Sequence, residues 1–377
     1  MTPFEIFLIA VTILYVGIGV LLSKGAARKQ STRRNYEPVV SVIVPARNEE
    51  ENIGNCLQSL RRVDYPSRKL QIIVVDDHSE DKTASVVREY CTSEENVTLL
   101  TLSDDEQCGS GKISALAYGY ECAEGEIVFQ TDADCEVSEG WIKDLLTVFG
   151  DDVGIVGGMT LPRPSPEKKT CFIDVQTLDL MYLLGVGAGA NSLGIPLSCF
   201  GNNLAIRKKA YDAIGGYESI PFTFTEDFAI FQAITRGGWN TGFALTEFSL
   251  VYSRPPRAFR DFINQRLRWA VGGIKLAGKG VVLLVTAFVF HLAIPVAVIL
   301  GSSSIVVAFS ATAAAVTDLM LLIILAKRVG KTSVLWSFPL FEVYFFLNTS
   351  VFGLVVPFAK KLKWKGRKWE TSDTSSE

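Results

Sequence analysis

Residues 127–134 read Ile-Val-Phe-Gln-Thr-Asp-Ala-Asp, an apolar run that leads directly into a pair of carboxylates. A short apolar run ended by polar residues predicts a buried β-strand, with Asp132 and Asp134 just beyond its carboxyl end. Two carboxylates held there supply the oxygen ligands that a hard divalent cation prefers, and such a cation would hold a diphosphate. The alternative is an acidic turn that caps a helix, because aspartate is common in turns.

The chain around this run alternates between strand-like and helix-like segments. Strands are predicted at residues 39–45, 71–75, 97–102 and 126–130, with helices at residues 53–60, 81–90 and from residue 112 onward. This alternation predicts an α/β fold with a mainly parallel sheet and helices on both of its faces. Ligands bind such sheets at the carboxyl ends of the strands. The aspartates that follow strands are therefore expected to converge on one crevice: Asp76, Asp77, Asp132 and Asp134.

The alternation weakens beyond residue 156. Residues 185–201 are rich in glycine and small apolar side chains (GVGAGANSLGIPLSCFG). Such a composition indicates a flexible or closely packed wall and not a regular helix or strand.

Charge and cysteine usage exclude some classes of protein. The formal net charge is −3, so nothing in the composition indicates a nucleic-acid-binding surface. The seven cysteines lack the spacing of a zinc site, and with a cytosolic domain they are expected to be reduced thiols.

The amino-terminal segment predicts a membrane anchor over residues 1–23. Residues 4–22 form one long apolar stretch, interrupted by Glu5 near its start, and they lack the basic leader and small-residue cleavage site of a removed signal peptide. Basic residues follow at Lys24, Arg28, Lys29, Arg33 and Arg34. By the positive-inside rule, a large domain over residues 38–255 then lies in the cytosol.

The carboxyl-terminal third predicts a membrane region over residues 281–359. Residues 281–300 and 304–326 are each long enough to cross a bilayer, and they return the chain to the cytosol. Residues 333–359 are apolar but interrupted by proline and polar side chains, so a broken or re-entrant helical hairpin is expected there. The basic and then polar tail of residues 360–377 stays in the cytosol. The whole predicts a multi-pass protein of the cell (inner) membrane.

Between domain and membrane region, residues 256–280 predict an amphipathic helix along the bilayer surface, with Arg260 and Arg266 among its charged side chains. Gln265 and Arg268 share one helix face, beside Trp269. A guanidinium bridges two phosphate oxygens, and an indole offers a flat surface to an acceptor. Tryptophan and arginine are also ordinary on an interfacial helix.

Three further positions have both a functional and an ordinary interpretation. Lys112, after Gly109-Ser110-Gly111, stands where backbone donors and an ammonium would meet a phosphate, or else is a solvated first-turn residue. Asp77 binds a ligand or caps a helix with Ser79. Glu226 and Asp227 are a catalytic pair, in which Asp227 takes a proton, or ordinary acids in a first helical turn.

The polar motifs occur in a characteristic order. They are Val42-Ile43-Val44-Pro45-Ala46-Arg47-Asn48-Glu49-Glu50, Asp76-Asp77-x-Ser79, Gly111-Lys112, Asp132-x-Asp134, Gly201-Asn202-Asn203, Glu226-Asp227 and Gln265-x-x-Arg268-Trp269. In this order they resemble the family 2 inverting glycosyltransferases of the GT-A fold, over residues 38–270. The tail motif Trp364-Lys365-Gly366-Arg367 resembles that of membrane-bound relatives that glucosylate lipids, including ceramide and carotenoid (chlorobactene-type) glucosyltransferases.

The resemblance implies a Rossmann-like GT-A domain that binds a UDP-sugar, together with a role for each motif. Contacts to the nucleotide sugar are implied for Pro45, Ala46, Glu49, Asp77, Lys112, Asp132 and Arg268. Asp132 and Asp134 are implied as ligands of Mg²⁺ or Mn²⁺, and Asp227 as the general base. Acceptor-binding or supporting roles are implied for Glu226, Gln265, Trp269, Asn202 and Asn203.

The expected function is therefore a membrane-anchored inverting transferase. In a single displacement it would move one hexose, glucose by resemblance, from a UDP-linked donor to a lipid acceptor in the bilayer. One alternative is a processive polysaccharide synthase, which shares the Gln-x-x-Arg-Trp motif. Another is a membrane scaffold that binds nucleotide sugars without catalysis. The carboxyl-terminal region has only two clear spans, which is little material for a polymer channel. The intact carboxylates argue against a scaffold.

Overall fold

The computed structural model describes residues 1–28, 33, 35–103, 111–163, 171–220, 223, 225–256, 258–273, 279–355, 361–364 and 367–370. Its helices are α1 (Pro3–Ala27), α2 (Ile53–Arg61), α3 (Thr83–Ser93), α4 (Lys112–Glu121), α5 (Trp141–Thr147), α6 (Cys171–Asn191), α7 (Lys208–Ala213), α8 (Glu226–Arg236), α9 (Phe259–Gly273), α10 (Lys279–Ile299), α11 (Ser304–Arg328) and α12 (Phe338–Val355). Short 3₁₀ helices lie at Ser67–Lys69, Tyr217–Ser219, Glu247–Ser249 and Thr332–Ser337.

The strands are β1 (Val40–Ala46), β2 (Leu70–Asp76), β3 (Val97–Thr101), β4 (Ile127–Gln130), β5 (Cys135–Val137), β6 (Val153–Gly158), β7 (Thr160–Pro162), β8 (Leu204–Arg207), β9 (Asn240–Ala244), β10 (Val251–Ser253), β11 (Lys361–Trp364) and β12 (Arg367–Glu370). The first four confirm the predicted strands to within a residue or so. They also bracket the predicted helices, which appear as α2, α3 and α4.

The chain forms two compact units. One, the sheet unit, comprises residues 29–163 and 198–255, and the other, the helical unit, comprises Met1–Arg28, Pro164–Leu197 and Pro256–Glu377. The domain of residues 38–255 anticipated from the sequence thus has an internal stretch, around α6, that belongs to the helical unit. The reason is composition, because α6 is apolar enough to pack among the other long apolar helices.

The sheet unit is built on a seven-stranded sheet in the order β3-β2-β1-β4-β8-β6-β9. The first four strands run parallel, and β8 is antiparallel to both of its neighbours, so the sheet is mixed and mainly parallel. The β-branched side chains of β1 explain its central place, because Val40, Val42 and Val44 are fully buried in the hydrophobic core. The carboxyl ends of β1, β2 and β4 consequently lie side by side.

Among the residues that the structure describes, five helices of the helical unit are long and apolar enough to cross a membrane: Pro3–Ala27, Cys171–Asn191, Gly280–Ile299, Ser304–Arg328 and the run Thr332–Val355. Those that begin at Gly280 and Ser304 confirm the predicted apolar helices at 281–300 and 304–326. Irregular structure was predicted for the glycine-rich residues 185–201. This prediction was wrong for residues 185–191, because α6 continues as a helix to Asn191. A Cβ at Gly189 would lie 2.4 Å from the carbonyl oxygen of Leu22, so this glycine allows α1 and α6 to approach closely.

The hairpin predicted within residues 333–359 was wrong over the described residues. The 3₁₀ helix Thr332–Ser337 runs directly into α12. Pro339 lies in the first turn of α12, where a missing amide hydrogen costs no helical hydrogen bond, so proline is tolerated there. Pro357 lies outside the described residues.

A polar network joins three of the apolar helices. Asp318 of α11 accepts hydrogen bonds from the Tyr15 hydroxyl of α1 at 3.0 Å and from the Tyr182 hydroxyl of α6 at 2.7 Å. The two hydroxyl oxygens lie 3.2 Å apart, and all three side chains are buried. The carboxyl group, buried among apolar helices, therefore has hydrogen-bond partners, as burial of such a group requires.

Candidate active site

The predicted nucleotide-binding residues meet where β1 and β2 end. Ala46 pairs with Asp76 in the sheet, and the amide of Asp77 donates to the Ala46 carbonyl at 2.8 Å. The Asp77 side chain is 10% exposed, and its oxygens lie 3.3 Å from Nη1 of Arg47 and 3.1 Å from Nδ1 of His78. Sequence reasoning named Asp77 but assigned no role to Arg47 or to the adjacent His78.

The loops that follow β1 and β2 are fastened to each other by hydrogen bonds. The amides of Asn48 and Glu49 donate to the hydroxyls of Ser79 at 3.0 Å and Thr83 at 2.8 Å, and the Glu80 amide donates to Oδ1 of Asn48 at 2.8 Å. Asp77 and Ser79 do not cap α3, whose cap position is Lys82. These hydrogen bonds fix the loops at the carboxyl ends of β1 and β2, where Pro45, Ala46, Glu49 and Asp77 lie.

Lys112 lies between two carboxylates that are far apart in the sequence. Its ammonium is 2.7 Å from Oδ1 of Asp132 and 2.9 Å from Oε1 of Glu226, and its side chain is 19% exposed. Burial disfavours the ammonium, but the charges of Asp132 and Glu226 outweigh burial, and the pKa of Lys112 is raised. The lysine is therefore a fixed positive charge at the centre of the acidic cluster.

Asp227 is held by main-chain donors. Its Oδ2 accepts from the Gly201 amide at 2.9 Å and its Oδ1 from the Phe228 amide at 2.8 Å. A Cβ at position 201 would lie 2.8 Å from Cβ of Asp227, so only glycine fits there. Burial, and after it the charge of Glu226, raise the pKa of Asp227 to about 6, with Lys112 opposing. A carboxyl with such a pKa is suited to accept a proton near neutral pH.

The two asparagines of the Gly-Asn-Asn motif support the site from inside. Asn203 is fully buried, donates to the carbonyls of Met159 and Ser249, and accepts from the indole of Trp141 at 2.8 Å. Asn202 accepts from the Thr160 hydroxyl at 2.8 Å. Asn203 thus links α5, the residue between β6 and β7, and the 3₁₀ helix Glu247–Ser249, which is a supporting position.

The residues beyond β4 suit a hard divalent cation. Ligand atoms of Asp132, Asp134 and Cys135 lie within 4.8 Å of one another. Burial, reinforced by the charges of Asp134 and Asp132, raises the pKa of the Cys135 thiol, which donates to Oδ1 of Asp134 at 3.4 Å. The two carboxylates offer hard oxygen donors, and such donors suit a hard divalent cation better than a thiophilic metal.

The remaining predicted residues lie in the helical unit, on α9. Gln265, Arg268 and Trp269 are partly exposed. Arg266, named from the sequence among the charged side chains of this helix, is buried: its Nη2 lies 2.7 Å from Oδ2 of Asp179 on α6. Sequence reasoning missed this pair, although an aspartate in the middle of the largely apolar α6 was a usable signal.

A mixed, mainly parallel sheet with acidic side chains and one lysine gathered near its carboxyl edge defines a glycosyltransferase of GT-A-like fold. The chain belongs to glycosyl transferase family 21, whose model matches residues 4–375. The resemblance to family 2 enzymes thus correctly predicted a glycosyltransferase, but the family model that matches the chain is family 21.

Curated relatives match a little under two thirds of the chain. The probable glycosyltransferase YdaM of Bacillus subtilis is 27% identical over 242 residues, 62% of this chain and 55% of its own length. Glycosyltransferase AglE of Haloferax volcanii is 27% identical over 63% of this chain and 74% of its own. A beta-monoglucosyldiacylglycerol synthase of Trichormus variabilis is 25% identical over 63% of this chain and 49% of its own length. The match thus spans about half the length of YdaM and of the beta-monoglucosyldiacylglycerol synthase.

Among solved structures, the chain is similar to a mannosyltransferase of Pyrobaculum calidifontis, PcManGT, determined in complex with GDP-Man and Mn²⁺. The TM-score is 0.58 at 20% sequence identity, over 90% of this chain and 99% of that one. At this identity the likeness supports the GT-A-like fold alone.

Proposed function

We propose that this chain transfers a single hexose, glucose, from a UDP-linked donor to a hydroxyl-bearing lipid, with inversion at the anomeric carbon. The observation that carries the proposal is the set of Lys112, Asp132, Asp134, Glu226 and Asp227. It combines a proton acceptor, a fixed cation and a carboxylate pair suited to a metal at one edge of the sheet.

The donor would lie along the carboxyl ends of β1, β2 and β4. Asp77 would hydrogen-bond the uracil-type base, with Pro45, Ala46 and Glu49 lining the same pocket, as in the resembling family. Asp132 and Asp134 would hold Mg²⁺ or Mn²⁺, which neutralises charge on a departing diphosphate when it is bound. Lys112 contributes its own positive charge, and Arg268 would contact the diphosphate as well.

Asp227 would act as general base. An inverting single displacement needs one carboxylate to take the proton of the acceptor hydroxyl as its oxygen attacks the anomeric carbon. The two amides that donate to Asp227 fix the orientation of its carboxyl group. Glu226 raises the proton affinity of Asp227, so its role is to tune the base.

Asp227 in this role gives a defined pH dependence. Only ionised Asp227 takes a proton, so kcat/KM should fall about tenfold per pH unit below pH 6 and level off above it. Glu226→Gln removes the charge that raises the pKa of Asp227, so the acidic limb should move to lower pH. A pH–rate profile of both proteins under subsaturating donor measures this. An unmoved limb would remove Glu226 as the tuning group.

A lipid acceptor is supported by the apolar helices and by the glycolipid synthase among the relatives. We propose that the chain is a multi-pass protein of the inner membrane with its sheet unit in the cytosol, where nucleotide sugars occur. Trp269 and Gln265 would contact the acceptor head group. The tail motif favours a ceramide-like or hydroxylated carotenoid acceptor over diacylglycerol.

The length of the product separates this proposal from a processive synthase. With labelled UDP-glucose and a panel of lipids in vesicles, the full-length protein should form a glycolipid with one hexose, even at saturating donor and long incubation. Lipid extraction followed by size separation measures it, with the Asp227→Asn protein as blank. A ladder of longer, water-extractable chains would establish the polymerase instead. Donor binding without any product across the lipid panel would establish the scaffold.

A further inference from the structure

Arg266, within the Gln-Arg-Leu-Arg-Trp motif, is buried although it carries a full charge. Its side chain is 5% exposed and that of Asp179 is 2% exposed, with Nη2 and Oδ2 2.7 Å apart. The Tyr344 hydroxyl of α12 donates to the same Asp179 oxygen at 3.1 Å. The guanidinium on α9 is thereby anchored to α6 directly and to α12 through the shared carboxylate.

The same guanidinium stacks between two aromatic rings of its own helix. Cζ of Arg266 is 4.9 Å from the ring centroid of Phe262 and 4.6 Å from that of Trp269. Residues three and four positions away share the face of a helix, so both rings flank the arginine. The indole of Trp269 therefore rests on a charged plane whose own position is set by Asp179.

Stability alone does not account for this arrangement. A buried ion pair must recover the large cost of desolvating both charges, and apolar replacements of similar volume are often as stable. Among the residues that the structure describes, Nε and Nη1 of Arg266 are buried and have no hydrogen-bond partner. What the guanidinium supplies, and a methionine or lysine does not, is a planar cation for stacking on an indole.

We infer that Arg266 is a positioning residue that orients the indole of Trp269 toward the lipid acceptor. The inference rests on the proposed function for the role of Trp269. In the variant Asp179→Asn/Arg266→Met both charges are removed, and the asparagine keeps an acceptor for Tyr344. Its thermal midpoint should stay near that of the parent protein. The KM for the lipid acceptor should nevertheless rise about fivefold to thirtyfold, the range expected for a desolvated cation–π contact, with the KM for UDP-sugar unchanged.

Two single substitutions provide matched controls on α9. Arg266→Lys keeps the charge without the planar stack and should raise the acceptor KM in the same way. Arg260→Lys alters an exposed arginine of the same helix and should leave both KM values unchanged. If the charge-free double variant keeps the acceptor KM of the parent, Arg266 is only structural and the inference is wrong.

A spectroscopic measurement separates failure of this inference from failure of the proposed function. In full-length protein containing 5-fluorotryptophan, the ¹⁹F resonance of Trp269 is identified by its loss in Trp269→Phe. It should shift in the double variant and in Arg266→Lys, and stay in place in Arg260→Lys. If the resonance shifts as expected while Trp269→Phe leaves the acceptor KM unchanged, that result would reject Trp269 as the acceptor contact and leave the positioning of its ring intact. An unmoved resonance would reject the positioning role itself.

Discussion

Asp227→Asn should lower kcat by about two to four orders of magnitude, the contribution typical of a general base. The substitution keeps the size of the side chain but removes its ability to take the acceptor proton. Asparagine has one acceptor oxygen for the two amides of Gly201 and Phe228, so a modest loss of thermal stability is expected and must be measured. Donor binding should survive, because the base acts on the acceptor hydroxyl.

The measurement is a comparison of single-turnover rate and donor affinity in the Asp227→Asn protein. Asp212→Asn, at an exposed aspartate of the sheet unit, is the matched control and should behave as the parent protein. A loss of donor affinity as large as the loss of rate would place Asp227 in the nucleotide pocket and require another base.

Asp134→Asn should reduce metal-dependent turnover by about three orders of magnitude, since a catalytic cation contributes several kcal/mol of charge stabilisation. The amide is a far weaker ligand than a carboxylate, yet its oxygen still accepts from the Cys135 thiol, so the fold should persist. The amount of protein recovered in membranes should equal that of Asp212→Asn.

Titration of Mg²⁺ and Mn²⁺ against initial rate distinguishes this variant from Asp227→Asn. In Asp134→Asn the metal dependence should move to higher concentration or vanish, whereas in Asp227→Asn it should be retained at a low rate. Full activity of the parent protein in EDTA, or of Asp134→Asn without added metal, would remove the cation from the proposal.

The parallel half of the sheet was predictable because its signals are local. β1, β2 and β4 are short, buried and mainly apolar runs, with Pro45, Asp76 and Gln130 at or next to their carboxyl ends. The antiparallel insertion of β8 between β4 and β6 was not predictable, because a strand pattern does not name its partner. α6 was missed since its glycines look like loop residues, while their use is close contact between helices.

The same division holds for the site. Strand ends showed where Asp77, Asp132 and Asp134 would gather. The contact of Lys112 with both Asp132 and Glu226 depends on how α4 and α8 approach each other, which no local pattern contains. The ion pair of Arg266 was not predicted, because an amphipathic helix pattern does not distinguish an arginine facing water from one paired with a distant buried aspartate.

The hydrogen bonds among Tyr15, Tyr182 and Asp318 have a consequence for biosynthesis. Under the proposed membrane arrangement, α11 would carry a carboxyl group into the hydrocarbon layer, which is costly for an isolated helix. The two tyrosines precede Asp318 in the chain, so their helices are synthesised before α11. Both hydroxyl donors are therefore already present when Asp318 is made. Insertion of α11 and assembly of the bundle would then be one event, which makes the order of translation part of how this protein reaches its native state.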